Sequence, residues 1–136
     1  CFLISIGDGS TLAPNVRLIA HDASTKKHIG YTKTGRIRIG KNCFIGDSSL
    51  ILPGATIGEN SIIGSGSVVV TDIESGSVAI GNPCKKICSV EDYLQKNLHV
   101  LDKKKAPFSE SGHNNLTREQ QQEVLLFLDQ ELGYIR

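Results

Sequence analysis

The 136-residue sequence predicts an all-β solenoid that ends in an α-helical extension. Aliphatic residues recur every six positions from Ile6 onward. Glycine is abundant, at 14 residues, while Trp is absent and Phe and Tyr number only four and three. The six-residue pattern stops after Pro83, where two helix-start signals follow. The composition excludes a core built on large aromatic anchors, and the length suits one domain. Fifteen Lys and Arg against fourteen Asp and Glu leave a net charge of +1. That balance excludes a basic nucleic-acid footprint and an acidic tail. No apolar run approaches the ~18 residues that membrane insertion requires.

The repeat begins with IGDGST, LAPNVR and LIAHDA, then resumes as IGKNCF, IGDSSL, ILPGAT, IGENSI, IGSGSV and VVTDIE. Its first position is Ile6, Leu12, Leu18, Ile39, Ile45, Ile51, Ile57, Ile63 and Val69; an unbroken aliphatic run of this kind arises by chance on the order of 10⁻⁵. Six residues suffice for a short strand and a sharp corner. The first position is expected inside, stacked on its equivalents ~4.8 Å above and below. Gly at the second position (Gly7, Gly40, Gly46, Gly58, Gly64) is expected to take the positive φ of the corner. The fifth position (Ser10, Cys43, Ser49, Ala55, Ser61, Ser67) faces inward with little room and stays small. Three sides close a triangular coil of 18 residues, and residues 1–83 make about three to four coils. A helix is excluded because period six leaves no apolar stripe at 3.6 spacing.

One break interrupts the repeat. The register from Leu18 to Ile39 jumps by 21 rather than 18, and the polar segment 22–36 (DASTKKHIGYTKTGR) is expected as a loop thrown out from one corner. Loops of this length without structure are usually functional or disordered, and this one begins directly after His21. Past Pro83, Ser89 reads as the N-cap of an amphipathic helix running to about Leu101. Lys103–Lys105 and Ala106–Asn115 read as a linker. Thr117-Arg-Glu-Gln reads as the capping box of a second helix, with Val124, Leu125, Leu128 and Leu132 on one face and Gly133 as its stop. The expected organisation is therefore a β domain over residues 1–88 and a helical extension over 89–136, which covers the last coil or packs on a neighbouring subunit.

Together the hexads, the histidine of "LIAHD" with its loop, "ILPGATIGENSIIGSGSVV" and "VAIGNPCKKI" resemble the hexapeptide-repeat acyltransferases. The similarity points to the branch that O-acetylates sugars and polysaccharides, and it covers residues 4–88. The resemblance implies a left-handed parallel β-helix, a homotrimer, and acetyl-CoA bound between neighbouring subunits. Left-handedness comes from the resemblance alone, since the usual crossover preference has the other hand.

The same resemblance implies the site. His21 matches the catalytic histidine, and imidazole, with a pKa near ~6.5, suits removal of a proton from a sugar hydroxyl as it attacks a thioester. Asp22 is badly placed to orient it, because neighbours on a strand face opposite ways. A backbone carbonyl or a carboxylate of the next subunit remains open for that role. Ser65 and Asp47 match main-chain positions along the pantetheine arm, Lys85 matches a basic residue that neutralises the phosphates, and Lys86 beside it is a further candidate for that contact. Thr71 is a further donor-binding candidate, although the pattern departs there, since it replaces a common lysine in Val70–Glu74, and departs again at Cys88, which replaces another basic residue. Ser10, Asn15 and His28 are candidates on the acceptor side.

A zinc hydratase on the same solenoid would need three converging imidazoles, and of His21, His28, His99 and His113 only His21 lies in the repeat. No metal is therefore expected. The repeat by itself also admits a small-molecule (antibiotic or amino-acid) acetyltransferase and a non-catalytic trimerisation or regulatory module. The spacing of Cys1, Cys43, Cys84 and Cys88 suits neither a disulfide scaffold nor a metal site, and reduced thiols fit a cytoplasmic protein. Met is absent and Cys1–Ile6 is already repeat, so an upstream segment that caps the first coil is expected.

Overall fold

Short strands separated by four-residue corners follow directly from a six-residue period. The computed structural model describes residues 2–101 and 116–129. The first ladder stacks β1 (Ile4–Ile6), β6 (Ile37–Ile39) and β9 (Thr56–Ile57), and Ile57 bridges onward to Ile73. A second stacks β2 (Thr11–Leu12), β7 (Phe44–Ile45), β10 (Ile62–Ile63) and β12 (Ser77–Ile80). The third stacks β3 (Arg17–Leu18), β8 (Leu50–Ile51) and β11 (Val68–Val69). All pairings among these strands are parallel.

The register gives the coil directly. Phe44 pairs with Ile62, Leu50 with Val68 and Arg38 with Thr56, each 18 residues on. Pairs that cross the break, such as Ile4 with Ile37 and Thr11 with Phe44, are 33 apart. The excess is the 15 residues of segment 22–36, so the jump of 21 is one six-residue step plus this insertion. The last coil closes early: Ile62 pairs with Val78 and Ile57 with Ile73, only 16 residues on. Ile73 thus takes the inner place where a strict hexad count would put Ser75.

Ile37, Ile39, Ile45, Ile51, Ile57, Ile63 and Val69 form the buried column, with Cys43, Ser49, Ala55, Ser61 and Ser67 buried beside them. Ile6 in the first coil is 46% exposed, whereas Ile39, stacked between coils, is 3% exposed. Inward hydroxyls bond across coils: Ser49 Oγ donates to the Gly64 carbonyl at 3.2 Å and Ser61 Oγ to that of Glu74 at 3.1 Å. Ser67 Oγ donates to the Gly64 carbonyl and accepts from the Gly81 amide at 3.2 Å. Ser77 Oγ is buried with no hydrogen-bond partner among the described residues. Ser67→Ala is therefore expected to cost about 1–3 kcal/mol by stranding an amide, while Ser77→Ala is neutral or stabilising. Urea midpoints of the two variants check the contrast.

The corners depart from the expectation for glycine. Positive φ falls at the fourth position, not the second: Gly9 (72°), Asn15 (60°), Asn42 (54°), Ser48 (58°), Gly54 (93°), Asn60 (55°) and Gly66 (69°). Asn tolerates this left-handed conformation better than most residues. The second-position glycines answer a different demand. A Cβ on Gly7 would lie 2.6 Å from the Gly40 carbonyl carbon, and one on Gly46 would lie 2.5 Å from the Ser65 nitrogen. Stacked coils approach too closely there for any side chain.

Segment 22–36 is not an irregular loop. β4 (His21–Asp22) and β5 (Lys33–Thr34) pair antiparallel, with the single turn α1 (Lys26–Ile29) near the tip. After the turn at Gly81–Cys84, β13 (Lys85–Ser89) runs back antiparallel to β12, with an irregularity at Val78/Ala79. The six-residue pattern gives no sign of this return strand.

Helix α2 (Val90–Leu101) starts as expected, with Ser89 Oγ accepting from the Asp92 amide at 3.0 Å. The chain divides into two compact units, Cys1–Tyr93 and Leu94–Arg136. Helix α3 (Arg118–Leu128) carries the full capping box between Thr117 and Gln120. Of its expected apolar face Val124 is buried, whereas Leu125 and Leu128 are exposed. Leu132, Gly133 and the linker lie outside the described residues.

Candidate active site

His21 sits at the neck of the hairpin, where β4 leaves the coil, paired with Thr34 and exposed. The neck is closed by the Gly35 amide donating to the Ala20 carbonyl at 3.1 Å. Asp22 serves the hairpin rather than the imidazole. Its carboxylate accepts from the Ser24 amide at 2.9 Å and pairs with Lys33 Nζ at 3.5 Å. The Ser24 hydrogen bonds, aided by Lys33, hold the Asp22 carboxyl below its ordinary value. Its contribution to the hairpin is therefore complete above the ordinary carboxylate pKa and is lost as pH falls through the lowered one. Among the described residues His21 itself makes no hydrogen bond through its ring. His28 lies on α1 near the hairpin tip, exposed.

The hairpin interrupts the corner that follows the third ladder. In the next coil that corner is Pro53–Gly54, against which Gly35 packs, and in the coil after it is Thr71–Asp72. His21 and Thr71 therefore share one corner stack two coils apart, about 10 Å along it at the usual strand spacing.

Thr71 opens onto a cleft of about 380 Å³ lined also by Asp72, Ile73, Glu74, Cys84, Lys85 and Lys86. Three of the expected donor-binding residues thus come together, because the return strand carries both lysines back beside the last coil. Lys86 Nζ lies 3.2 Å from Glu74 Oε2, whereas Lys85 has no ion-pair partner among the described residues. Asp72 Oδ1 accepts from the Thr56 amide at 2.8 Å. Cys84 is buried at the cleft wall, and that burial pushes its thiol pKa up.

The remaining candidates lie elsewhere. Asn15 and Asp47 share the corner after the second ladder, joined Nδ2 to Oδ1 at 3.4 Å, and Asn15 lines a second hollow of about 370 Å³ with Val16, Arg17 and Ser48. The Asp47 carbonyl accepts from the Gly66 amide at 2.8 Å, while the neighbouring Ser65 is exposed. Ser10 Oγ donates to the Gly40 carbonyl at 2.7 Å and accepts from the Cys43 amide at 3.0 Å. Its hydroxyl is committed to the coil. Glu74 and Cys84 are not singled out by sequence reasoning, for which segment 70–74 stands out only by its missing lysine. Among the described residues no cluster of three or more His, Cys, Asp or Glu is placed to hold a metal, and no helix is long and apolar enough to cross a membrane.

The structure thus joins an 18-residue parallel coil, a histidine-bearing hairpin at one corner, and a cleft at the last turn that holds two lysines and two carboxylates. Residues 36–71 match the family model of the bacterial transferase hexapeptide (six repeats), and the chain belongs to the hexapeptide-repeat transferases. Among its relatives, the galactoside O-acetyltransferase of Escherichia coli is 41% identical over 96 residues, covering 67% of this chain and 46% of that protein. A galactoside acetyltransferase solved in complex with coenzyme A aligns at a TM-score of 0.61 with 39% identity, over 68% of this chain and 48% of the other. A maltose O-acetyltransferase from Clostridium difficile aligns at 0.58 with 43% identity, over 63% and 48%. The chain spans between a third and about half the length of the curated relatives it matches, 33% and 46% in two cases.

Proposed function

We propose that this chain is the β-helical part of an acetyl-CoA-dependent O-acetyltransferase acting on a sugar or polysaccharide-precursor hydroxyl. What carries this reading is the placement of His21 on the same corner stack as Thr71, whose cleft gathers Lys85 and Lys86. The likeness to a galactoside acetyltransferase with bound coenzyme A supports it. In the proposed site the phosphates of the donor lie toward Lys85 and Lys86, and the pantetheine arm runs along the stack past Thr71 toward His21. Main-chain groups at Ser65 and Asp47 meet the arm from the neighbouring corner. Asn15 and His28 stand on the acceptor side. Ser10 is left out, since its hydroxyl is already bonded within the coil.

The chemistry is a direct transfer. His21 takes the proton of the acceptor hydroxyl as its oxygen attacks the thioester carbonyl carbon. The tetrahedral species collapses, the carbon–sulfur bond breaks, and the imidazolium returns the proton to the departing thiolate. The products are the sugar ester and free coenzyme A, with no acyl-enzyme. A left-handed coil, a homotrimer with sites between subunits and a cytoplasmic setting complete the proposal. Each accords with the family resemblance, and a shared site would let a neighbouring carboxylate or carbonyl orient His21.

Thiol release from acetyl-CoA measured across a panel of sugars tests the reading. The expected result is release that depends on a sugar and yields its O-acetyl ester. Equal release with and without every sugar would overturn it.

A further inference from the structure

The cleft that gathers Thr71, Lys85 and Lys86 holds as many carboxylates as ammonium groups, since Asp72 and Glu74 line it too. The two acids are differently engaged. Asp72 is bound to the Thr56 amide and contributes to the corner. Glu74 reaches across to Lys86 Nζ at 3.2 Å, and its side chain is 83% exposed against 49% for Lys86. A pair this exposed is weak and opens readily. In the resting molecule, then, one of the two cleft lysines is already neutralised by a side chain of the same cleft, and Lys85 alone is unpaired among the described residues.

We propose that Glu74 is a specificity-determining residue that competes with the anionic end of the donor for Lys86, holding donor affinity down and blunting its dependence on salt. The inference rests on the functional reading above. An incoming diphosphate must displace the Glu74 carboxylate from Lys86 and then tolerate its charge nearby. The neutral pantetheine portion meets neither obstacle. Glu74 therefore acts on the phosphate-bearing half of the ligand and leaves the thiol-bearing half alone.

Calorimetric titration of the full chain with coenzyme A and with pantetheine, each at low and moderate ionic strength, tests this. Glu74→Gln is expected to tighten coenzyme A binding about two- to fivefold, the range an exposed ion pair supports. The gain shrinks as salt rises, and pantetheine binding stays unchanged. Asp8→Asn removes an equal charge from an exposed corner of the first coil and is expected to leave coenzyme A binding as it was. The inference is overturned if Glu74→Gln leaves coenzyme A binding unchanged or weaker, if pantetheine tightens equally, or if Asp8→Asn has the same effect. Failure of the unaltered chain to bind coenzyme A at all would instead overturn the functional reading on which the inference rests.

Discussion

Replacing His21 by alanine is expected to lower sugar-dependent thiol release about 10²–10⁴-fold, the usual contribution of a positioned general base. The unfolding midpoint is expected to stay where it was. His21 is exposed and its ring makes no hydrogen bond among the described residues, so truncation leaves no buried partner unsatisfied. The hairpin neck is held by the backbone pairing to Thr34, the Gly35–Ala20 hydrogen bond and the Asp22–Lys33 pair, none of which uses the imidazole. Binding of coenzyme A is likewise expected to change little, because Lys85 and Lys86, the proposed phosphate contacts, lie on the return strand beside the last coil. Steady-state kinetics, a melting curve and a titration with coenzyme A separate these effects. Unchanged release in the variant would remove His21 from the mechanism while leaving the fold as described.

A large stability effect is expected at Gly46. A Cβ there would come within 2.5 Å of the Ser65 nitrogen and 2.8 Å of both the Ile63 carbonyl oxygen and Ser65 Cα. All three belong to the backbone of the next coil, which cannot rotate away as a side-chain tip can. Gly46→Ala is therefore expected to cost at least the ~1–3 kcal/mol typical of overpacking, and Gly46→Val more. Gly66 provides the contrast, because its surroundings are open and only its φ of 69° restricts the choice of residue. Asn already occupies the equivalent position at 15, 42 and 60. Gly66→Asn is therefore expected to cost no more than ~1 kcal/mol, below the ~1–2 kcal/mol left-handed penalty of most residues, because Asn adopts this conformation readily. Urea midpoints of both variants decide it. If Gly66→Asn proved as damaging as Gly46→Ala, the assignment of the two glycine roles would be wrong.

Those two glycines also show what the sequence could disclose. The aliphatic column was legible because the inner position repeats without a miss from Ile39 to Val69, and burial needs only that regularity. The recurring glycine was legible as a constraint but not as a cause. Composition cannot separate a residue chosen for positive φ from one chosen for having no Cβ. The Asn residues at the fourth position were the available signal for the first kind. The hairpin over 22–36 was hidden because its strands are two residues long and polar, with no alternation to detect. The return strand Lys85–Ser89 was hidden for a related reason, since it pairs by its backbone along an edge and its side chains are largely exposed.

At the site, His21 was legible from its place at the break, and the cleft lysines from the "GNPCKKI" resemblance. Their meeting with Thr71 was not, because it depends on an antiparallel turn after a coil shortened by two residues. Glu74 passed unnoticed for the same reason. In the sequence it is simply the last residue of a hexad, and only folding brings it to Lys86.

A crystal structure of the chain with coenzyme A and an acceptor sugar bears most directly on the proposed placement of His21 and the cleft at the two ends of one ligand. The expected result is density for the phosphates beside Lys85 and Lys86, with the thiol sulfur and a sugar hydroxyl each about 3–3.5 Å from a His21 imidazole nitrogen. Coenzyme A bound away from the Thr71–Lys86 cleft, or with its sulfur out of reach of every His21, would contradict it.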